Sequence, residues 1–249
     1  MKENLDRYSS AYSEAFPYHN ENLMMQEEYA SRIVEGLQGQ KEISLLGLGI
    51  GHSVVFQTLT GKLGDNLSNF TLVEGSADII DSFKMNNKLA QNIDVVEGYF
   101  ENFSPDEKFD AIEMGFVLEH VDSPDVIIER YARFLKDNGK LFMAVPNARS
   151  LNRQIGHAGG LLDDLHKLSE YDHQLGHKRY FDKQSFESLA KQCGLAVIRT
   201  EGILLKPLTT AQLQKADLPN EAYLGMNMLA RGLPDMALAL FMEAKLTNG

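Results

Sequence analysis

The chain lacks tryptophan and contains a single cysteine, Cys193, among its 249 residues. One cysteine cannot form an intrachain disulfide, so we expect the protein to function in a reducing compartment, the cytoplasm. Basic residues are also few. The 24 lysines and arginines are outnumbered by 35 aspartates and glutamates, which gives a formal net charge of −11 at pH 7. A surface of this sign repels nucleic acid, and we therefore expect neither a DNA nor an RNA partner.

Long apolar runs, repeats and linkers are missing as well. No stretch reaches the length needed to cross a membrane, and no targeting pattern is visible, so we expect no membrane partner. Without a Ser/Gly-rich linker we expect one domain. It would comprise an N-terminal helical lid or cap over residues 1–40 and a main part over residues 41–249, with an insertion at about 148–181. A homodimer is compatible with this organisation, although no segment identifies an interface.

Short apolar runs alternate with helical patterns along the chain. The predicted strands cover residues 42–47, 70–75, 93–98, 109–115, 139–147, 195–205 and 236–246. The predicted helices cover residues 21–39, 53–63, 76–91, 123–139 and 182–194. This alternation predicts an α/β fold, a Rossmann-like, doubly wound and mostly parallel seven-stranded sheet with helices on both faces.

The segment LLGLGIGHS joins the first predicted strand to a helix through three alternate glycines, Gly47, Gly49 and Gly51. Glycine adopts positive φ and lets a ligand approach the backbone closely. Open α/β sheets bind ligands at such a turn, although a tight turn without a ligand gives the same pattern. The spacing is G-x-G-x-G, and His52 occupies the position of the third glycine in a dinucleotide fingerprint. This disfavours a nicotinamide cofactor.

Glu74 ends the second predicted strand, in LVEGS. A carboxylate at this position can accept two hydrogen bonds from ribose hydroxyls. The alternative is an ordinary solvated acid at a strand end. The glycine turn and the acid together indicate a ribose-containing ligand more specifically than either alone.

Five segments carry a family resemblance. They are LLGLGIGHS, LVEGS, VVEGYFENF, FDAIEMGFVLEHVDSPDVIIERYARFLKDNGKLFMAVPN and HQLGHKRYFDKQSFESLAKQCGL. In this order they resemble the motifs of class I S-adenosylmethionine-dependent methyltransferases, in the branch that acts on small molecules, over about residues 41–200. The resemblance implies S-adenosyl-L-methionine as cofactor and methyl transfer to an oxygen or nitrogen of a small acceptor.

The resemblance also implies a set of cofactor contacts. The glycine turn would lie under the methionine and ribose parts, and Glu74 would hold the ribose. The other implied contacts are Gly75, Tyr99, Phe100, Glu101, Gly115, Phe116 and Leu118. Two positions depart from the family pattern. Leu45 stands where an acid usually meets the cofactor's ammonium group, and Tyr99 stands where an acid often contacts the adenine amine.

His120, in LEHV, would face the transferred methyl group if the resemblance holds. It is the candidate general base, and a histidine that only orders its loop is the alternative. The expected acceptor contacts are Tyr18, His19, His173, His177, Arg179 and Tyr180. Arg179 suits a carboxylate or phosphate, so we expect an acceptor that is anionic or sugar-like, with a surface ion pair as the alternative.

Three further hypotheses concern the same residues. His173 and His177 could share a helical face and bind a metal, but no third ligand is fixed by spacing, so we expect none. The aromatic residues Tyr8, Tyr12, Phe16 and Tyr18 could close over the site as a lid, or pack as ordinary core. A non-catalytic binding module of the same fold, favoured by the two departures, and a nicotinamide-dependent oxidoreductase remain as alternative functions.

Overall fold

The computed structural model describes residues 5, 6, 13 and 15–247, and these form a seven-stranded sheet covered by helices. The strands are β1 (Ile43–Leu48), β2 (Leu67–Glu74), β3 (Ile93–Glu97), β4 (Phe109–Gly115), β5 (Leu135–Pro146), β6 (Leu195–Ile203) and β7 (Ala239–Leu246). Their order across the sheet is β3-β2-β1-β4-β5-β7-β6. The first five strands pair in parallel, and β7 runs antiparallel to both β5 and β6. The predicted Rossmann-like, mostly parallel sheet is therefore confirmed.

Helices cover both faces of this sheet. They are α1 (His19–Gly36), α2 (Val54–Leu63), α3 (Ala77–Asn86), α4 (Pro124–Ala132), α5 (Leu151–Ala158), α6 (Glu170–Leu175), α7 (Lys183–Gln192), α8 (Thr210–Ala216) and α9 (Asn220–Ala230). Buried side chains of α1, α2 and α3 form one apolar cluster with one face of the sheet, and those of α4 and α7 form a second with the other face. The alternation of side chains along each strand produces this separation. Among the described residues, no helix combines the length and apolarity needed to span a membrane.

The boundary between α4 and β5 differs from the prediction. The sequence predicted one helix over residues 123–139, but α4 ends at Ala132 and β5 begins at Leu135. Leu135 is fully buried and pairs with Phe109 of β4, so tertiary packing overrides local helix propensity there. Gly139 lies within β5 rather than ending a helix. A Cβ at this position would lie 2.9 Å from the Phe109 carbonyl oxygen.

The order in which strands are added to the sheet reverses between β1 and β4. The chain builds outward from β1 through β2 to β3, then returns to the other side of β1 with β4. The carboxyl ends of parallel strands at such a switch point form a crevice in which ligands bind. The predicted insertion forms α5 and α6 and the loops around them, beside this edge of the sheet.

Candidate functional site

A cavity of about 780 Å³ opens at the carboxyl ends of β1, β2 and β4. This volume lies within the range of small-molecule and cofactor pockets. Its walls come from the strand ends, from α1, and from the insertion between β5 and α7. The described residues at the strand ends supply one side of the cavity, and the insertion supplies the opposite side.

The glycine turn forms the floor of the cavity. Gly49 and Gly51 both line it and adopt positive φ, 81° and 53° respectively. A side chain at either position would strain the backbone. Gly47 serves a different purpose and does not line the cavity. A Cβ at Gly47 would lie 2.8 Å from Oε1 of Glu113 and 2.8 Å from a methyl carbon of Leu72, so this glycine is required by packing.

Glu74 connects the glycine turn to the start of α3. Its Oε2 accepts a hydrogen bond from the Ile50 amide at 3.0 Å, and its Oε1 accepts one from the Ser76 amide at 2.9 Å. The residue is 7% exposed and lines the cavity. A carboxylate has about four acceptor positions, so two remain for a ribose diol. The site therefore fits a ribose, because a buried acid faces the cavity with two acceptor positions still free.

The loop after β3 borders the same end of the cavity. Tyr99, Phe100 and Glu101 all line it, as the resemblance implied. The Tyr131 hydroxyl donates a hydrogen bond to the Phe100 carbonyl at 2.9 Å and fixes the loop against α4. These residues offer an aromatic surface beside Glu74, which suits a flat adenine ring.

Leu5 also reaches this end of the cavity, and its neighbour Asp6 contacts Ser76. A Cβ at Gly75 would lie 2.5 Å from Cδ1 of Leu5, so Leu5 packs directly over Gly75. The Ser76 hydroxyl donates to Oδ1 of Asp6 at 2.7 Å. No sequence pattern predicted this contact, because it joins residues 70 positions apart.

The end of β4 forms the next part of the wall. Gly115 and Phe116 line the cavity, and Phe116 has a positive φ of 59°, which is rare for an aromatic residue. Leu118 is fully buried and does not line the cavity. Of the three residues implied beside the methionine part, only Gly115 and Phe116 therefore reach the cavity. Functional sites often hold backbone in sparsely populated conformations, like that of Phe116.

Glu119 and His120, in the loop after β4, meet His177 of the insertion at the cavity wall. Nε2 of His120 lies 4.0 Å from Oε1 of Glu119, and the rings of His120 and His177 are 4.8 Å apart between centroids. Glu119 is 1% exposed, and neither of its side-chain oxygens accepts a hydrogen bond from another described residue. One ligand atom from each of the three side chains lies within 4.8 Å of the others, close enough for the three to hold a cation between them.

Burial controls the protonation of this group. It raises the pKa of Glu119 to about 7, against the lowering effect of His177. Burial, and then the neighbouring His177, lowers the pKa of His120 to about 3, so this imidazole is neutral at pH 7. The His120 side chain is nevertheless 32% exposed to the cavity and can be reached by a ligand.

Asp172 holds His177 in place. The Asp172 carboxylate lies 3.1 Å from Nδ1 of His177 and accepts a hydrogen bond from the Tyr180 hydroxyl at 3.0 Å. It also caps α6 through a reciprocal capping box with Ser169. Burial alone would raise the pKa of Asp172, but hydrogen bonds from His177 and Ser169 lower it to about 2. No sequence pattern assigned this role to Asp172.

The expected acceptor contacts are thus divided by the structure. Tyr18, His177 and Tyr180 line the cavity. His19 lies behind the wall, with its ring 5.3 Å from that of His52. His173 is exposed and outside the lining, and α6 ends at Leu175, before His177, so the two histidines do not share a helical face.

Arg179 is likewise outside the lining. Its guanidinium donates to the carbonyls of Leu118, Val121 and Asp122, which form the loop that carries His120. Among the described residues it forms no salt bridge, so the alternative of a surface ion pair is not observed, and the acceptor contact stays a prediction. Its observed contacts hold the LEHV loop in its conformation.

The expected aromatic lid lies partly within the described residues. Tyr8 and Tyr12 fall outside them. Phe16 and Tyr18 pack edge-on against Tyr171 of the insertion, with ring centroids 6.2 Å and 5.0 Å away. These aromatic contacts join the N-terminal segment to the insertion across the mouth of the cavity.

Comparisons with known proteins show the family and the fold of this chain. Residues 23–200 match the sequence model of a family described as a methyltransferase domain. The ubiquinone biosynthesis O-methyltransferase of Hydrogenovibrio crunogenus is 22% identical over 175 residues, covering 70% of this chain and 71% of the relative. The N-methyltransferase NodS of Bradyrhizobium japonicum, solved with S-adenosyl-L-homocysteine, superposes with a TM-score of 0.59 at 10% identity over 98% of both chains. A Haloferax volcanii protein solved with the methyltransferase activator Trm112 gives a TM-score of 0.66 at 12% identity over the whole of both chains.

Proposed function

This chain belongs to the methyltransferase family and is an S-adenosylmethionine-dependent methyltransferase, and we propose that it methylates a hydroxyl oxygen of a small, uncharged acceptor bound beside His120. The observation that carries the proposal is the group of Glu119, His120 and His177, which lines the same cavity as the glycine turn. A hydroxyl must lose its proton as it is methylated, and this group can take one. The name of the O-methylating relative from Hydrogenovibrio crunogenus points the same way.

The proposed cofactor contacts follow from the fit of the cavity. S-adenosylmethionine, when bound, supplies an electrophilic methyl group on a sulfonium. Glu74 would accept hydrogen bonds from the ribose hydroxyls, and Gly49 and Gly51 would let the backbone approach closely. Tyr99 and Phe100 would border the adenine. The remaining proposed contacts are Gly75, Glu101, Gly115 and Phe116, all of which line the same cavity.

His120 would receive the proton of the acceptor hydroxyl. The neutral imidazole is open to the cavity. Burial makes it a weak base, so the proton transfer depends on the Glu119 carboxylate, 4.0 Å away, to stabilise the imidazolium that forms. His177 is oriented by Asp172 and packs edge-on against the His120 ring. These residues position the acceptor and carry its proton, and the cavity walls exclude water.

The cavity gives no support for the anionic acceptor that the sequence suggested. Three cationic side chains line it among the described residues, and each already has partners. Lys206 pairs with Glu21 at 2.7 Å, and Lys178 pairs with Asp122 at 2.6 Å. The guanidinium of Arg153 donates to the carbonyls of Leu165 and Lys167. We therefore propose an acceptor without a carboxylate or phosphate, because both lysines are paired with acids and the Arg153 donors already bind backbone carbonyls.

Methyl-labelled S-adenosylmethionine tests this proposal. Phenolic and catecholic acceptors would be assayed beside matched compounds that carry a carboxylate or a phosphate. We expect label transfer to the uncharged members. The variant His120→Ala should lose about 10²–10⁴-fold in kcat, with cofactor affinity within about twofold of the parent enzyme. Transfer only to the anionic members, or to amines only, would contradict the proposal. Loss of activity on chelation that a divalent ion restores would contradict the role of His120 as proton carrier.

We further propose that the enzyme is a single domain working in the reducing cytoplasm. The N-terminal segment before β1 would act as a cap, since Tyr18 lines the cavity and packs against Tyr171. Cys193, the single cysteine, is buried, and burial raises the pKa of its thiol to about 11, which makes it unreactive.

A further inference from the structure

Glu113 is a carboxylic acid buried in the middle of the sheet without a charged partner. It lies in β4, is 3% exposed, and contributes to the cavity wall. Its Oε2 accepts hydrogen bonds from the Tyr29 hydroxyl at 3.1 Å and the Gly115 amide at 3.2 Å. Its Oε1 accepts none from the described residues, and no lysine, arginine or histidine among them forms an ion pair with it. An unpaired charge in such a place is costly, so Glu113 requires either a proton or a cationic ligand.

The register of the sheet places Glu113 beside the glycine turn. Gly47 of β1 pairs with Glu113 of β4, so the two residues project to the same face of the sheet. A Cβ on Gly47 would lie 2.8 Å from Oε1 of Glu113. The missing side chain at Gly47 therefore provides the space that Oε1 occupies, at the base of the turn that approaches the cofactor.

Leu45 lies on the same face of β1, two residues before Gly47, and is fully buried. Its apolar side chain cannot pair with a cation. Glu113 presents a carboxylate from the adjacent strand, two residues farther along the sheet toward the cavity. The part of the cofactor expected at this end is the methionine part, which carries an ammonium group.

We propose that Glu113 binds the ammonium group of the cofactor's methionine part from β4, in place of an acid on β1. Oε1 receives the ammonium, while Tyr29 and Gly115 hold Oε2. Tyr29 also donates to the Phe142 carbonyl at 3.0 Å, so α1 fixes the position of the carboxylate. This inference rests on the use of S-adenosylmethionine but not on the identity of the acceptor.

The protonation of Glu113 is consistent with this role. Burial raises its pKa to about 7, against the lowering effect of the hydrogen bonds from Gly115 and Tyr29. An ammonium group at Oε1 would favour the charged carboxylate and supply the counter-charge that the protein does not provide.

The test is a calorimetric cycle with two ligands and three proteins. The ligands are S-adenosylhomocysteine and its deaminated analogue, in which a hydrogen atom replaces the amine. The proteins are the parent enzyme, Glu113→Gln, and the control Glu129→Gln, which alters an exposed acid of α4 outside the cavity lining. We expect the parent to prefer S-adenosylhomocysteine over the deaminated analogue by about 10-fold or more, as one charge-assisted hydrogen bond provides.

Glu113→Gln should lower the affinity for S-adenosylhomocysteine by about 10–100-fold and change the affinity for the deaminated analogue by less than about twofold. Glu129→Gln should bind both ligands as the parent does. An equal loss of affinity for both ligands in Glu113→Gln would overturn the proposal and indicate a structural role. If that variant does not fold, the parent protein still decides, because equal affinity for the two ligands would overturn the proposal. Failure of every hydroxyl acceptor would leave these binding results unaffected and would concern only the proposed function.

Discussion

Replacing Glu74 with alanine should affect the glycine turn and the cofactor together. The carboxylate accepts hydrogen bonds from the Ile50 and Ser76 amides, so the variant leaves two amides near the cavity without their partner. It also removes the two acceptor positions proposed for the ribose. We expect the affinity for S-adenosylhomocysteine to fall by about 1–3 kcal/mol, or about 5–150-fold, because hydrogen bonds to a charged group are worth about this much.

The matched control is Glu97→Ala. Glu97 pairs with Glu74 across β2 and β3 at the same strand end but is exposed and outside the cavity lining. Isothermal titration calorimetry would give both affinities, and urea unfolding would give the free energy of unfolding of each variant. The control should bind as the parent protein does. If Glu74→Ala binds S-adenosylhomocysteine with unchanged affinity, the assignment of Glu74 to the ribose is refuted.

Three other substitutions test separate parts of the structure. Gly49→Val should abolish detectable S-adenosylhomocysteine binding while circular dichroism still reports a folded protein, because φ is 81° at this position; normal binding would mean that the turn is not the cofactor cradle. Arg179→Ala should lower the free energy of unfolding by about 1–3 kcal/mol, since three loop carbonyls lose a charged donor; a rise in the acceptor KM with unchanged stability would instead place Arg179 at the acceptor. Burial alone would raise the pKa of Asp110, but Lys136 and Ser44 lower it, so its carboxylate stabilises the fold above about pH 4 and loses this effect on further acidification. Asp110→Asn should therefore lower the free energy of unfolding, measured in urea, by about 1 kcal/mol at pH 7 and by less at pH 3. An equal loss at both pH values would contradict this linkage.

The architecture could be predicted because its signals are local. Alternating apolar runs identified the strands, and the glycine turn with Glu74 marked the carboxyl edge at which the cavity opens. The end of α4 was predicted seven residues too late, since the pairing of Leu135 with Phe109 depends on a strand that the local pattern does not reveal.

The site was less predictable because its important contacts join distant parts of the chain. Tyr29 and Glu113 are 84 residues apart, and Glu21 and Lys206 are 185 apart. No spacing rule connects such pairs. Arg179 illustrates the same limit. Its charge suggested a ligand, whereas its donors are used by the backbone of the LEHV loop, which only the folded chain brings within reach.

A calorimetric titration of the parent protein with S-adenosylhomocysteine, beside a parallel titration with NAD, tests most directly what the glycine turn and Glu74 hold. We predict a one-to-one complex with S-adenosylhomocysteine and no heat of binding with NAD. The dissociation constant should be on the order of micromolar, which corresponds to a binding free energy of about −8 kcal/mol. Binding of NAD, or no binding of S-adenosylhomocysteine, would contradict the assignment of this cavity to the methyl donor.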